Sequence, residues 1–275
     1  MPGIEVETHG AVRVLRLAEP DSRNALGDTI RAGLAREVPA YFTDPALRCL
    51  MITGSGGAFC AGGDLESLRK VSGAAEMQDR MAQAHRWIGP ILAGDKPVVC
   101  AVNGAAVGAG LGLALMGDLV IAAQDAYFIA GFSMIGAVAD FGLGVTLPRS
   151  VGMACAKDIL MTNRRVDADE ALAIGLVSRC LPSEGFFDEA LALAQKVARG
   201  PGYATGQTKA LLNLGATGDI AGYLRAEATA QARALDTPDA RAGLAAFLDK
   251  RPPRFHPASA PPPDRLSPPH LPRAA

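Results

Sequence analysis

The chain has 275 residues, enough to bury a large core, with 27 basic and 28 acidic residues and a formal net charge of -1. This balance gives no sign of nucleic acid or an anionic membrane as the main partner. No apolar run reaches the length of a membrane span, and the N-terminus lacks the basic and apolar regions of a signal peptide, so we expect a cytoplasmic protein.

The beginning of the chain predicts strands and one helix. Residues 4–17 alternate between apolar and polar side chains, which predicts two antiparallel strands with a turn at His9 and Gly10. A helix is predicted from Asp28 to Tyr41, and a buried strand from Cys49 to Thr53. A passage rich in small residues then follows directly, over residues 54–64.

A second passage of the same kind comes later. The apolar strand Val98–Val102 runs into an Asn-Gly turn, a glycine-rich bend and a helix that begins near Ala109. Further helices are predicted at Leu65–Lys70, Met77–Leu92, Arg149–Met161, Asp167–Ile174 and Glu184–Arg199, with a last strand at Val177–Leu181. This succession of strands and helices is typical of the α/β class.

The C-terminal part is helical in pattern, with breaks at residues 215–218 and 237–238. Residues 252–275 contain many prolines and no periodic pattern, so we expect a disordered tail. We therefore divide the chain into a core of residues 1–200, a helical oligomerisation region of residues 201–251 and the tail.

The cysteines and histidines predict neither disulfides nor a metal site. The cysteines are scattered without a CxxC pair, and three lie in or beside predicted strands, which favours buried reduced thiols. The histidines form no cluster with metal-ligand spacing. These residues are Cys49, Cys60, Cys100, Cys155 and Cys180, with His9, His85, His256 and His270.

The two glycine-rich passages can supply free amides. The first amides of a helix have no partners within the helix and can donate to an external acceptor. Two such sources that converge on one oxygen would form an oxyanion hole, with each donor contributing about 3 kcal/mol to a transition state. The alternative is that the glycines only allow strand and helix to pack closely.

Asp140 is the only charged residue of the loop 130–144. A carboxylate among Val138, Ala139, Phe141 and Leu143 should lose hydration, which raises its pKa and leaves it reactive as a base or nucleophile. The alternative is that it caps a helix at residues 145–147.

The passages Ala58–Asp64 and Ala101–Asp118 resemble, in that order, the two signature segments of the crotonase (enoyl-CoA hydratase/isomerase) superfamily. The similarity continues at Arg23–Leu26, Leu160–Arg164 and Ala173–Val177, and covers roughly residues 4 to 250. It implies a ββα spiral core with a C-terminal helical trimerisation region, and assembly as a homotrimer or a dimer of trimers.

The resemblance also implies a substrate, an acyl- or aryl-CoA thioester, with no separate cofactor. The amides of Gly63 and Ala109 would hold the thioester oxygen. Arg23 would reach the CoA phosphates, unless it is an ordinary surface arginine, and Ala25 and Ala61 would meet the adenine. Asp64 and Phe132 complete the implied substrate-binding residues.

The reaction is less defined than the substrate, because one scaffold of this superfamily hosts several chemistries. Hydratases of the family use two glutamates, at positions that read Gly112 and Phe132 here. Asp140 and His85 fall where 4-chlorobenzoyl-CoA dehalogenases carry their nucleophilic aspartate and water-activating histidine. His85 is otherwise an ordinary helix residue.

Three hypotheses about function therefore remain open. In the first, Asp140 and His85 act as nucleophile and base in dehalogenase- or hydrolase-like chemistry. In the second, Asp140 is the acid/base of an enoyl- or dienoyl-CoA hydratase or isomerase. In the third, the protein is a non-catalytic subunit that binds a CoA ester.

Overall fold

The computed structural model describes residues 3–216 and 218–255. Its strands are β1 (Ile4–His9), β2 (Val12–Leu17), β3 (Cys49–Gly54), β4 (Ala58–Cys60), β5 (Val98–Val102), β6 (Ala105–Val107), β7 (Leu119–Ala123), β8 (Tyr127–Ile129), β9 (Val166–Asp167) and β10 (Arg179–Leu181).

The helices of the core and of the C-terminal part follow in chain order. They are α1 (Asp28–Thr43), α2 (Leu65–Arg69), α3 (Gly73–Ala93), α4 (Ala109–Leu115), α5 (Leu143–Val151), α6 (Met153–Thr162), α7 (Ala168–Ala173), α8 (Phe186–Ala198), α9 (Gly202–Gly215), α10 (Ile220–Leu235) and α11 (Pro238–Leu248). Short 3-10 turns occupy Pro20–Ser22 and Phe132–Ile135.

The strands form two sheets. The larger has the order β1-β2-β3-β5-β7-β10, parallel except for the antiparallel hairpin β1-β2. The smaller has the order β4-β6-β8-β9, with only the β8-β9 pair antiparallel. Every residue of β3 and β5 is buried, as expected of strands covered on both faces.

Successive chain segments repeat one pattern. The pairs β3-β4, β5-β6 and β7-β8 each place one strand in the larger sheet and the next in the smaller sheet, and a helix follows each pair. This is the predicted ββα spiral. The arrangement sets the starts of α2 and α4 beside the ends of β4 and β6.

Several predicted elements are confirmed, and one is wrong. The β1-β2 hairpin, the start of α4 and both C-terminal breaks lie where the sequence predicts them, and α3 begins one turn earlier. The predicted helix Arg149–Met161 is instead the end of α5 and most of α6. They are separated at Gly152, whose φ of 78° interrupts the helix.

An ion pair between the buried Lys209 and the partly exposed Asp118 joins α9 to the core. Lys209 on α9 donates to the Oδ2 atom of Asp118 at 2.8 Å and to the carbonyl of Ile91 at 2.7 Å. Asp118 in turn accepts from the amide of Val98 at 2.8 Å. The C-terminal helices are thus anchored beside β5, and the division of the chain after residue 200 stays a prediction.

The cysteines among the described residues are free, and Cys49, Cys60 and Cys100 are buried, as predicted. No helix within residues 3–216 and 218–255 is long and apolar enough to cross a bilayer. Most of the predicted tail, residues 256–275, lies outside the described residues, as do His256 and His270.

Candidate active site

The predicted CoA-binding segment and the first glycine-rich passage lie side by side. The amide of Ala61 donates to the carbonyl of Arg23 at 2.9 Å, and the amide of Leu26 donates to the carbonyl of Gly62 at 2.7 Å. Leu26 also forms a parallel bridge with Gly63. The structure therefore brings Arg23, Ala25, Ala61 and Gly63 together, as the resemblance implies.

Asn24 locks these two segments to each other. Its side chain is fully buried and donates to the carbonyls of Ser55 at 2.9 Å and Ala58 at 2.8 Å, while its Oδ1 atom accepts from the amide of Glu19 at 3.0 Å. Its φ of 56° belongs to the left-handed region, which asparagine tolerates better than most residues. No pattern in the sequence predicts this role of Asn24.

Asn103 holds the same passage from the other side. It follows β5, and its Oδ1 atom accepts from the amide of Gly54 at 2.9 Å. Its Nδ2 atom donates to the carbonyl of Gly56 at 3.0 Å and, like Asn24, to that of Ala58, here at 3.3 Å. Two asparagine side chains thus fix the passage that leads to Gly63.

The two glycine-rich passages touch at Gly62. A Cβ atom on this residue would lie 2.6 Å from the carbonyl oxygen of Val107 and 3.4 Å from the amide nitrogen of Ala109, and its φ is 94°. Only glycine fits such a close approach. Gly63, the next residue, therefore lies on the segment that adjoins the start of α4.

The Gly63 and Ala109 amides have no acceptor in the hydrogen-bond network of the described residues. Among the described residues, neither amide donates a backbone hydrogen bond, and Ala109 is the first residue of α4. Both observations support the predicted oxyanion hole. The roles of the two amides stay a prediction.

Asp140 lies against the same helix. A Cβ atom at Gly112 would be 3.4 Å from the carbonyl oxygen of Asp140 and 2.7 Å from the Cβ atom of Phe141. Positions 109 and 112 are one turn apart and share a face of α4. The loop with Asp140 therefore covers the helix face whose first residue is Ala109, and it fills the space of a side chain at position 112.

Phe141 fixes the loop in place. Its side chain is 1% exposed and its ring meets that of Trp87 on α3 edge-on, with centroids 5.7 Å apart. Its φ of 52° is rare for an aromatic residue and costs about 1–3 kcal/mol, which the surrounding packing must offset. Strain of this kind is common next to residues that perform chemistry.

The carboxyl group of Asp140 differs from that of an exposed aspartate in its hydrogen bonding and its pKa. Its Oδ1 atom is buried and has no hydrogen-bond partner among the described residues. Burial raises the pKa of Asp140 to about 6, although the charges of Arg31 and His85 and its own amide act in the opposite direction. The expected loss of hydration is thus found.

The alternative role of Asp140 as a helix cap is wrong. The residue that precedes α5 is Gly142, and no side chain caps this helix. Only the carbonyl of Asp140 is used there, where it accepts from the amide of Leu143 at 3.0 Å.

The other predicted site residues take different positions. His85 is an exposed residue of α3 that forms no hydrogen bond to Asp140 within the described residues, although its charge reaches that carboxylate. Arg23 is exposed. Asp64 caps α2 by accepting from the amide of Glu66 at 3.1 Å, and Phe132 is buried at the start of a 3-10 turn. Their functional roles stay predictions.

Arg31 affects the pKa of Asp140, although no pattern in the sequence singles it out. It is half-buried on α1, and its charge is the strongest of those that lower the pKa of Asp140. No local pattern relates residues so far apart in the chain. Cys60, by contrast, is no nucleophile, because complete burial raises its pKa to about 12.

Comparison with known proteins agrees with this geometry. The sequence profile of the family named Enoyl-CoA hydratase/isomerase matches residues 7–258. The chain is 36% identical to the 1,2-epoxyphenylacetyl-CoA isomerase of Escherichia coli, covering 89% of this chain and 94% of that one. It is 35% identical to the crotonyl-CoA hydratase of Syntrophomonas wolfei, covering 92% and 97%.

Comparison with a solved structure indicates the same family and fold. The enoyl-CoA hydratase from Polaromonas sp. JS666 superposes with a TM-score of 0.85 at 35% identity, over 92% of this chain and 99% of that one. The chain therefore belongs to the enoyl-CoA hydratase/isomerase family, whose fold is that of the crotonases. It is an enzyme that processes CoA thioesters, and the particular reaction is taken up next.

Proposed function

We propose that the protein is an isomerase of acyl-CoA thioesters in which Asp140 moves a proton between two carbon atoms of the acyl group. The amides of Gly63 and Ala109 hold the thioester oxygen while it carries the negative charge of the enolate. Asp140 removes a proton from one carbon, and the same carboxyl group returns it to another. CoA is part of the substrate, and the scheme needs no separate cofactor.

The observation that carries this proposal is the isolated, buried oxygen of Asp140. A general acid/base works best with a pKa near the working pH, and burial raises that of Asp140 to about 6. Its Oδ1 atom has no protein hydrogen bond among the described residues, so it is free to take a proton. The carboxyl group can therefore exist in both protonation states during one reaction cycle.

Water addition is less well supported. The hydratases of this family use two glutamates, and the corresponding residues here are Gly112 and Phe132. The space beside Gly112 is filled by Phe141, and Phe132 is buried. Isomerisation needs only one shuttling group, which is the role we propose for Asp140. The isomerase of Escherichia coli among the relatives gives further support.

The remaining predicted contacts complete the proposal. We assign Arg23 to the CoA phosphates, where a guanidinium makes charge-assisted hydrogen bonds, and the segment around Ala25 and Ala61 to the adenine. Phe132 lines the acyl side, and Asp64 fixes the start of α2 beside Gly63. A cytoplasmic location stays a prediction.

The second candidate is the nucleophilic reaction. It is favoured by the resemblance of the Asp140 and His85 positions to those of the nucleophilic aspartate and the histidine of 4-chlorobenzoyl-CoA dehalogenases. Against it, an exposed His85 without a hydrogen bond to Asp140 is poorly placed to direct water, and a carboxylate with a raised pKa is less often ionised.

One experiment separates the candidates. The protein would be incubated in deuterated water with 2-enoyl-, 3-enoyl- and 4-halobenzoyl-CoA esters, and products and protein would be followed by mass spectrometry. We expect a shifted double bond and deuterium uptake, both reduced by about 10²- to 10⁴-fold in Asp140→Asn. The control Asp188→Asn, on the exposed face of α8, should leave the rate unchanged.

Other outcomes would contradict the proposal. An aryl adduct on Asp140 selects the nucleophilic reaction. Tight binding with all esters unchanged, in the parent protein as in the variant, selects a binding subunit.

We also propose assembly as a homotrimer or a dimer of trimers through the C-terminal helices. Among the described residues, large apolar side chains on and beside these helices are exposed: Leu212, Ile220, Leu224, Leu235, Leu244, Phe247 and Leu248. An exposed apolar surface of this kind marks an interaction site. A monomeric mass in light scattering at micromolar concentration would overturn this assignment.

A further inference from the structure

The loop with Asp140 ends in two successive residues in the left-handed conformation. Phe141 has a φ of 52° and Gly142 a φ of 73°. Glycine adopts this conformation freely, whereas a phenylalanine is strained in it and stays there only where its surroundings hold it. The direction in which the backbone passes through Asp140 and Phe141 therefore depends on the groups that hold the Phe141 side chain.

The Phe141 side chain is held between two helices. On α4, Gly112 leaves the room for it, because a Cβ atom at that position would lie 2.7 Å from the Cβ atom of Phe141. On α3, the ring of Trp87 meets the Phe141 ring edge-on, with centroids 5.7 Å apart and planes at 71°. Both rings are buried. Because an edge-on pair prefers particular orientations, Trp87 fixes the direction of the Phe141 ring as well as covering it.

The carboxyl group of Asp140 has no comparable support of its own. Its Oδ1 atom has no hydrogen-bond partner among the described residues, and residues 133–138, which precede it in the loop, are exposed. The backbone is held on the other side, where the carbonyl of Asp140 accepts from the amide of Leu143 at 3.0 Å. The support for Asp140 thus comes from the side of the loop that Phe141 anchors.

We propose that Trp87 is a positioning residue for Asp140, which acts by fixing the Phe141 ring and with it the backbone that directs the Asp140 carboxyl group. The inference rests on the proposed acid/base role of Asp140. If the Phe141 ring is released, the strained backbone can relax and Asp140 can move. A displacement of about 1 Å at a catalytic group can lower the rate by about 100-fold.

The test compares Trp87→Leu, Trp87→Phe and the control Phe42→Leu. Phe42, near the end of α1, forms the same kind of edge-on pair with Tyr41, with centroids 4.9 Å apart and planes at 66°. Each leucine variant therefore loses one edge-on pair, and circular dichroism would confirm that all three proteins are folded. The two parameters kcat and KM are measured with the isomerised ester.

Trp87→Leu should lower kcat by about 10- to 100-fold and change KM by less than about twofold, because a displaced Asp140 affects the proton transfer rather than the binding of CoA. Trp87→Phe keeps an aromatic ring beside Phe141 and should recover most of kcat. Phe42→Leu should leave kcat unchanged. An unchanged kcat in Trp87→Leu, or the same loss in both leucine variants, overturns the inference.

A second measurement does not need enzyme activity. The infrared band of the protonated Asp140 carboxyl group, assigned by its loss in Asp140→Asn, is recorded at about pH 5, below the pKa of about 6. In Trp87→Leu the band should move to lower wavenumber, because water can then donate to the displaced carboxyl group, and in Phe42→Leu it should stay in place. If no ester reacts but the band moves, the proposed function fails and the positioning by Trp87 holds. A band that stays in place in Trp87→Leu overturns the inference.

Discussion

Replacing Gly112 by alanine tests how closely the loop with Asp140 and Phe141 packs against α4. The added Cβ atom would lie 2.7 Å from the Cβ atom of Phe141, well inside the separation of about 3.5–4.0 Å at which carbon atoms attract. Overpacking of this kind costs about 1–3 kcal/mol. Alanine in a helix gains about 0.5–1 kcal/mol over glycine, which offsets only part of that cost. We expect a net loss of about 1 kcal/mol.

The substitution should also displace the loop that contains Asp140. Because the Cβ atom would lie 3.4 Å from the carbonyl of Asp140, relief of the overlap moves Asp140 and Phe141 away from α4. A shift of about 1 Å at a catalytic group can lower the rate by about 100-fold. Urea unfolding would measure stability, and turnover of the isomerised ester would measure the rate.

Gly144→Ala is the matched control. Gly144 lies in the first turn of α5, and nothing lies within 4 Å of a Cβ atom at this position. This variant should be as stable as the parent protein or more so, with an unchanged rate. If Gly112→Ala behaved in the same way, the contact between α4 and Phe141 would not restrict the site.

Two further predictions concern the charges of Asp140 and Asp118. Because the folded-state pKa of Asp140, about 6, lies above the unfolded one, its ionisation removes stability as the pH rises through that interval. The free energy of unfolding of Asp140→Asn, measured with urea, should therefore exceed that of the parent by about 1–3 kcal/mol at pH 8 and equal it near pH 4. A difference that is the same at both pH values would refute the assignment. Lys209→Met removes the cation that pairs with the partly exposed Asp118 and should cost about 1–3 kcal/mol, against less than about 0.5 kcal/mol for the exposed Lys157→Met, as measured by thermal unfolding.

The fold was predictable where local patterns are strong. Residues 4–17 alternate clearly, the strand Val98–Val102 is wholly apolar, and Gly218 and Pro238 interrupt the C-terminal helices. The sequence predicts one helix across the end of α5 and most of α6, because the apolar spacing continues across Gly152. Only the positive φ of Gly152 separates the two helices. Strands of three residues such as β6 are too short for any periodicity to reveal.

The candidate site was predictable in part for a similar reason. The motifs around Gly63 and Ala109 are contiguous in sequence, and the isolation of Asp140 in an apolar loop can be read locally. The effect of the Arg31 charge on the pKa of Asp140 joins residues far apart in the chain, which no spacing in the sequence shows. The exposure of His85 likewise depends on which face of α3 is buried in the folded chain.

The carbonyl of Ala58 accepts hydrogen bonds from both Asn24 and Asn103, so three distant stretches of chain meet at one oxygen. Any ligand that presses on the segment from Arg23 to Leu26 also presses on the strand-turn that presents the Gly63 amide. In the proposed function, binding energy from the CoA end of the substrate can in this way help to stabilise the transition state at the thioester. The segment proposed to bind CoA and the amide proposed to bind the thioester oxygen therefore belong to one hydrogen-bonded unit.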